Sequence, residues 1–268
     1  MKEEAQGPLG AIDAYISYAY TWIILFTIAG VYQEKLGFYG LVLTQLTLVI
    51  GPLVWSMRRK QSWGILLGRY HPKLKDYSVA VVMWVGLFLL VNGVTQLLMP
   101  LSREHQEVAQ ELGQVLYHPH FLVNIMVVAF IPAVCEEIIF RGIIFRGLAN
   151  QYTPKIGLIL SSIFFGMLHL DFIRMVPTTL LGLGMGYVVY RSGSLLLAIW
   201  IHFLNNAFIV GVNHLLPMNM EQVTDIPSGM WLSGILLIGV GVLIIALSIR
   251  MGYCKTEQRH GKSIKGIQ

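Results

Sequence analysis

Apolar residues dominate this chain in long runs. A helix that crosses a bilayer needs about 20 mostly apolar residues. Runs of that kind stand at 12–31, 38–57, 77–99, 121–148, 156–170, 172–190, 195–215 and 230–249. They predict an all-α polytopic membrane protein with about eight transmembrane helices. The fourth run is overlong and is expected to project past the bilayer. The fifth is short, and its gap to the sixth is so tight that both are expected to be tilted or partly buried. Spans of this number occupy about 160 residues. The chain therefore reads as a single polytopic membrane domain, 1–268, with no room for a sizeable soluble one. At 101–116 the apolar positions Leu101, Val108, Leu112, Val115 and Leu116 predict an amphipathic surface helix outside the bilayer. No internal repeat is evident, so an inverted-repeat transporter is not indicated.

Composition sharpens the class. Asp, Glu, Lys and Arg make up 12% of the 268 residues, where a soluble domain carries about 25%. Mean hydropathy is +0.65. These values argue against a soluble protein and against a disordered one. A pI near 9.2 points towards nucleic acid only when a basic stripe accompanies a soluble fold, and none is present, so no nucleic-acid partner is expected. The basic residues instead flank the apolar runs. With the N-terminus inside, every Lys and Arg except Lys35, Arg103 and Arg174 falls on the inner side, Arg141 counted with them although it sits within a span. The expectation is a multi-pass protein of the cell membrane with both termini in the cytoplasm and the segment 217–229, which lacks Lys and Arg, outside. Cys135 and Cys254 form neither a CxxC nor a disulfide framework. The opening MKEEAQGPLG does not read as a cleavable secretory signal.

Polar groups inside the runs carry the chemistry. The fourth run contains Glu136, Glu137 and Arg141, the fifth contains His169, and the seventh contains His202, Asn205 and Asn206. On insertion scales a charged residue at mid-helix costs about 3 kcal/mol, so the first three together oppose insertion by roughly 9 kcal/mol. Such groups persist where they face a bundle interior or a wet cavity. At a rise of about 1.5 Å per residue, Glu136 lies about 15 Å, His169 about 21 Å and His202 about 12 Å from the inner surface. Glu137 and Arg141 are four residues apart and can pair on one helix face, as can His202 and Asn206. Glu136 stands about 100° round from Glu137, so the two carboxylates need not share a role. Singly, each feature has an ordinary explanation. The Glu–Glu–Arg group can be a structural ion pair, each histidine and amide an interhelical hydrogen bond, and Gly182, Gly184 and Gly186 a close helix contact. Their convergence at one depth favours a site.

At these residues the sequence resembles the CAAX protease and bacteriocin-processing family, the type II CAAX endopeptidases. The signatures EExxxR, FxxxH and HxxxN stand here as Glu136-Glu137-Ile138-Ile139-Phe140-Arg141, Phe165-Gly166-Met167-Leu168-His169 and His202-Phe203-Leu204-Asn205-Asn206. The motif-bearing core covers about 121–210. The resemblance implies an intramembrane endopeptidase with catalytic residues on spans 4, 5 and 7. Glu136 would be the general base that activates water, helped by His169, while His202 and Asn206 would stabilise the oxyanion. Glu137 and Arg141 would support the first motif. No metal cofactor is expected on that mechanism. Elementary chemistry agrees, since amide hydrolysis without a nucleophilic side chain needs a base beside the water and donors aimed at the developing oxyanion.

Other classes stay open at the level of sequence. Two histidines and a glutamate can also hold a catalytic zinc, which makes a zinc-dependent intramembrane metalloprotease the first alternative, although there is no HExxH. A proton-coupled carrier would use the same groups as a relay. A non-catalytic membrane scaffold or regulator is the third. The partners expected are membrane lipid and a membrane-associated peptide or protein substrate.

Overall fold

The computed structural model describes residues 8–61, 64, 68, 72–101, 118–215 and 229–253. Every regular element among them is helical. Six stretches are long and apolar enough to cross a membrane: Ala11–Arg58, Leu74–Leu98, Phe121–Gln151, Phe172–Ser192, Leu195–Leu215 and Met230–Gly252. A shorter apolar helix, Pro154–Met167, joins them. The protein is thus an all-α, multi-pass membrane protein with six to seven long apolar helices. A count of eight spans requires the first stretch to be divided in two and the short helix to be counted as a span. The surface helix expected at 101–116 lies outside the described residues apart from Leu101, and so does the 217–229 segment apart from Gly229.

The first stretch is a hairpin. Helix α1 (Ala11–Ile24) passes through a π-helical turn into α2 (Gly30–Leu36), which stops at Gly37. Gly37 has φ +53° and ψ −129°, a conformation that glycine reaches without a Cβ clash. The chain reverses there into α3 (Gly40–Arg58), which packs along α1. The far end of the hairpin is tied by a buried carboxylate. Asp13 accepts from the Gly10 amide at 2.8 Å and the Trp55 indole at 2.9 Å, and it pairs with Arg59 at 3.2 Å. Sequence periodicity treated this end only as hydrophobic length.

Helix α4 (Leu74–Leu98) and the last helix, α9 (Met230–Ser248), pack on each other through glycine. A Cβ on Gly93 would lie 2.6 Å from the Gly234 carbonyl oxygen, and one on Gly241 2.7 Å from that of Gly86. Close backbone approach of this kind drives helix association where lipid is as apolar as the side chains. The opposite face of α9, with Leu232, Ile235, Leu236 and Leu243, is exposed. In water that stripe would be a liability, but hydrocarbon solvates it.

Between these pairs lie α5 (Phe121–Gln151), α6 (Pro154–Met167), α7 (Phe172–Ser192) and α8 (Leu195–Leu215). Thr153 caps α6 through its hydroxyl, Asp171 caps α7, and Gly193 closes α7 in the left-handed conformation at φ 71°. Helix α5 is interrupted twice by wider π turns, at Ile125–Phe130 and Ile138–Ile144. The first ends two residues before Pro132, which has no N–H to give to the carbonyl four residues back. The second carries Arg141. The core lies where α5 meets α1, α3, α6 and α8, and Phe140, Ile143, Ile144 and Leu148 are fully buried there.

Candidate active site

The singled-out residues converge on α5, α6 and α8. Glu136 and Glu137 close a regular turn of α5. Glu137 turns inward and has no exposed side-chain surface. Its Oε1 accepts from Arg141 Nη1 at 2.7 Å and lies 2.9 Å from His202 Nδ1. A carboxylate only accepts, so Nδ1 is the nitrogen that carries the proton in this contact, and Nε2 faces Glu136 Oε2 at 3.9 Å. The pairing expected for Glu137 and Arg141 is therefore present, and it extends to His202 on α8.

Arg141 is also fully buried. Its Nη2 donates to the Gly182 carbonyl on α7 at 3.0 Å, and its guanidinium lies over the Phe165 ring at 4.5 Å. Gly182 makes that reach possible, because a Cβ there would stand 3.0 Å from Nη2 and 3.3 Å from Phe165 Cδ1. The glycine run of α7 is thus a close-packing surface. Phe165 does more than precede a histidine in a motif. Its ring meets both His169 and His202 edge-on, at centroid distances of 5.4 and 5.8 Å. One aromatic side chain spaces the two imidazoles and covers the arginine.

His169 sits just beyond the last helical residue of α6, in its C-terminal turn. Its Nδ1 donates to the Phe165 carbonyl at 3.2 Å. Leu170, next in the chain, takes φ +58°, a strained conformation for a leucine, and Asp171 starts α7 directly. The sharp reversal holds the imidazole between two helices.

Glu136 points away from its neighbour, with its side chain 20% exposed. Together with His169 it lines a cavity of about 190 Å³. The N-terminal hairpin supplies Leu25, Leu48, Thr21 and Gln45 to the wall, and α5 and the end of α6 supply Ile139, Phe140, Phe165 and Leu168. Gln45 Nε2 donates to Glu136 Oε1 at 2.8 Å. Sequence reasoning passed over Gln45. The signal was there, since it is the one amide or charged residue in 41–57, but its partner is on a helix 91 positions later. Arg174, near the start of α7, interacts electrostatically with Glu136 and Asp171.

Asn206 is half-buried, one turn along α8 from His202. Its amide reaches the Val128 carbonyl at 3.5 Å, a weak contact, and it accepts from Asn205 at 3.3 Å. Val128 is the residue whose helical partner would be Pro132, so the proline helps explain an acceptor at that place. Neither His202 nor Asn206 is among the residues lining the cavity. Among the described residues, no group of three His, Cys, Asp or Glu side chains is placed to hold a metal ion.

Fold and site together define a polytopic helical membrane protein that gathers ionisable side chains where α5, α6 and α8 meet. Residues 118–208 match the family described as Type II CAAX prenyl endopeptidase Rce1-like. YdiL of Bacillus subtilis (strain 168), provisionally named a membrane peptidase, is 30% identical over 86 residues, which are 32% of this chain and 35% of that protein. The aligned segment spans about a third of that relative's length. No solved structure matches the chain. Over this segment, about a third of its length, the chain is similar to that family and to that membrane protein.

Proposed function

We propose that the protein is an intramembrane endopeptidase that hydrolyses a peptide bond in a membrane-associated or lipidated protein or peptide, using water activated by Glu136. The observation that carries this is the shared cavity of Glu136 and His169, with His202 Nε2 3.9 Å from the outward carboxylate oxygen. Glu136 takes a proton from water as the oxygen attacks the carbonyl carbon, and His169 helps to orient that water. Negative charge builds on the carbonyl oxygen, where the Asn206 amide donates together with Nε2 of His202 in its doubly protonated form, whose Nδ1 proton is held by Glu137. The C–N bond then breaks, and the proton held by Glu136 passes to the leaving amine. Glu137 and Arg141 orient His202 from the side away from the water.

The test is cleavage of a lipidated membrane peptide by the purified protein in vesicles. Glu136→Gln is expected to be folded and inactive. Asn206→Ala is expected to turn over roughly 100- to 1000-fold more slowly with near-normal binding, the usual loss for one oxyanion donor. Chelators should not slow the wild type, and His202→Ala should leave metal content unchanged. Wild-type rates in Glu136→Gln would overturn the proposal. Stoichiometric zinc, lost in His202→Ala, would make the protein a metalloprotease instead.

A further inference from the structure

We infer that Gln45, on α3 and outside the segment that matches the family, is a positioning residue that fixes the carboxylate of Glu136. The inference rests on the role proposed above for Glu136 and adds a group that no motif contains.

Geometry comes first. Gln45 Nε2 donates to Glu136 Oε1 at 2.8 Å, and both side chains line the same cavity. Leu41, Thr44, Gln45 and Leu48 lie at i, i+3, i+4 and i+7, so one face of α3 forms this wall. A carboxylate on a flexible side chain can present either oxygen in several directions. Binding Oε1 from a second helix leaves Oε2 as the oxygen that faces His202, 3.9 Å away, and meets the water. Glu136 is thereby held by α3, and His202 by Glu137, from two sides of α5.

The local chemistry is costly for any other purpose. The Oε1 of Gln45 is buried and has no hydrogen-bond partner among the described residues. An unpaired buried acceptor opposes stability, and an apolar side chain of the same length would avoid it. An amide whose one satisfied bond goes to Glu136 is explained by what it does to Glu136.

The experiment measures kcat and KM for the full-length protein in vesicles, per mole of folded protein, on the same lipidated peptide. Gln45→Met keeps the length and removes the donor. Gln45→Asn keeps the amide and shortens its reach by one methylene. The expected result for Gln45→Met is a fall in kcat on the order of 100-fold, the size produced by misplacing a reacting group by about 1 Å. KM should change little and the melting temperature should not fall. Gln45→Asn should show a smaller loss of the same kind. If Gln45→Met does not fold, Gln45→Asn decides alone: reduced kcat at unchanged KM supports the inference, and full kcat overturns it. Wild-type kcat in folded Gln45→Met, a rise in KM alone, or a loss that vanishes per mole of folded protein also overturns it. Glu136→Gln measured beside them separates the two levels. If it is inactive while Gln45→Met is unaffected, only the role of Gln45 fails. If it cleaves at the wild-type rate, the proposed base itself is wrong.

Discussion

Arg141 has no exposed side-chain surface, and neither does the carboxylate it holds. Its donors serve Glu137 and the Gly182 carbonyl, and its flat face serves Phe165. Truncating it strands Glu137, whose Oε2 has no partner among the described residues, with His202 alone. Arg141→Ala is therefore expected to destabilise the fold by about 3–5 kcal/mol, the cost of breaking a buried pair from one side. Thermal unfolding in detergent checks this, and a protein of wild-type stability would show that the site is solvated. Arg141→Lys should also lose stability, because a single ammonium cannot supply the fork and the flat face together. The pairing was legible from the four-residue spacing. The inclusion of His202 was not, because its contact joins positions 65 apart.

At the scale of elements, the site depends on how closely α7 approaches α5 and α6. Gly182 meets the guanidinium and Phe165, and Gly186 lies against Leu158. Adding one methyl at Gly182 forces Arg141 or Phe165 to move, and a fully buried side chain has little room to do so. Gly182→Ala is expected to cost about 1–3 kcal/mol by overpacking and to slow turnover through the displaced Glu137–His202 contact. A thermal melt and a cleavage assay on one preparation test both. Gly211→Ala is the control, since a Cβ there meets nothing within 4 Å. The glycine run was recognisable in sequence as a packing surface. Its partner was not, because a glycine pattern names no neighbour.

For the whole molecule, sidedness is the open quantity that Lys and Arg address. If both termini face the cytoplasm, the segment 217–229 is external. A cysteine introduced at Ser228, in a chain whose native cysteines are replaced, is then expected to react with an impermeant maleimide in intact cells. Labelling only after permeabilisation reverses the orientation. The same assay at 32–39 probes the other end of the hairpin, which carries Lys35 and lies on the same side in this topology. Agreement of the two positions also tests whether Ala11–Arg58 crosses the membrane twice.

Hydrophobic length and the spacing of polar residues within it determined the class, the helical runs and the motif residues, because span formation is local. A run of apolar side chains long enough for the bilayer must be helical whatever surrounds it, since no water is present to satisfy its backbone. Residues four apart on one helix must share a face, so Glu137–Arg141 and His202–Asn206 were readable as pairs. Only the tertiary structure decided that Glu137 takes His202 while Glu136 faces the cavity, that Phe165 separates the two histidines, and that the N-terminal hairpin supplies Gln45. Those contacts depend on the rotation and depth of one helix against another. That placement is set by glycine surfaces, π turns and Pro132 acting together, and no single stretch of sequence encodes it.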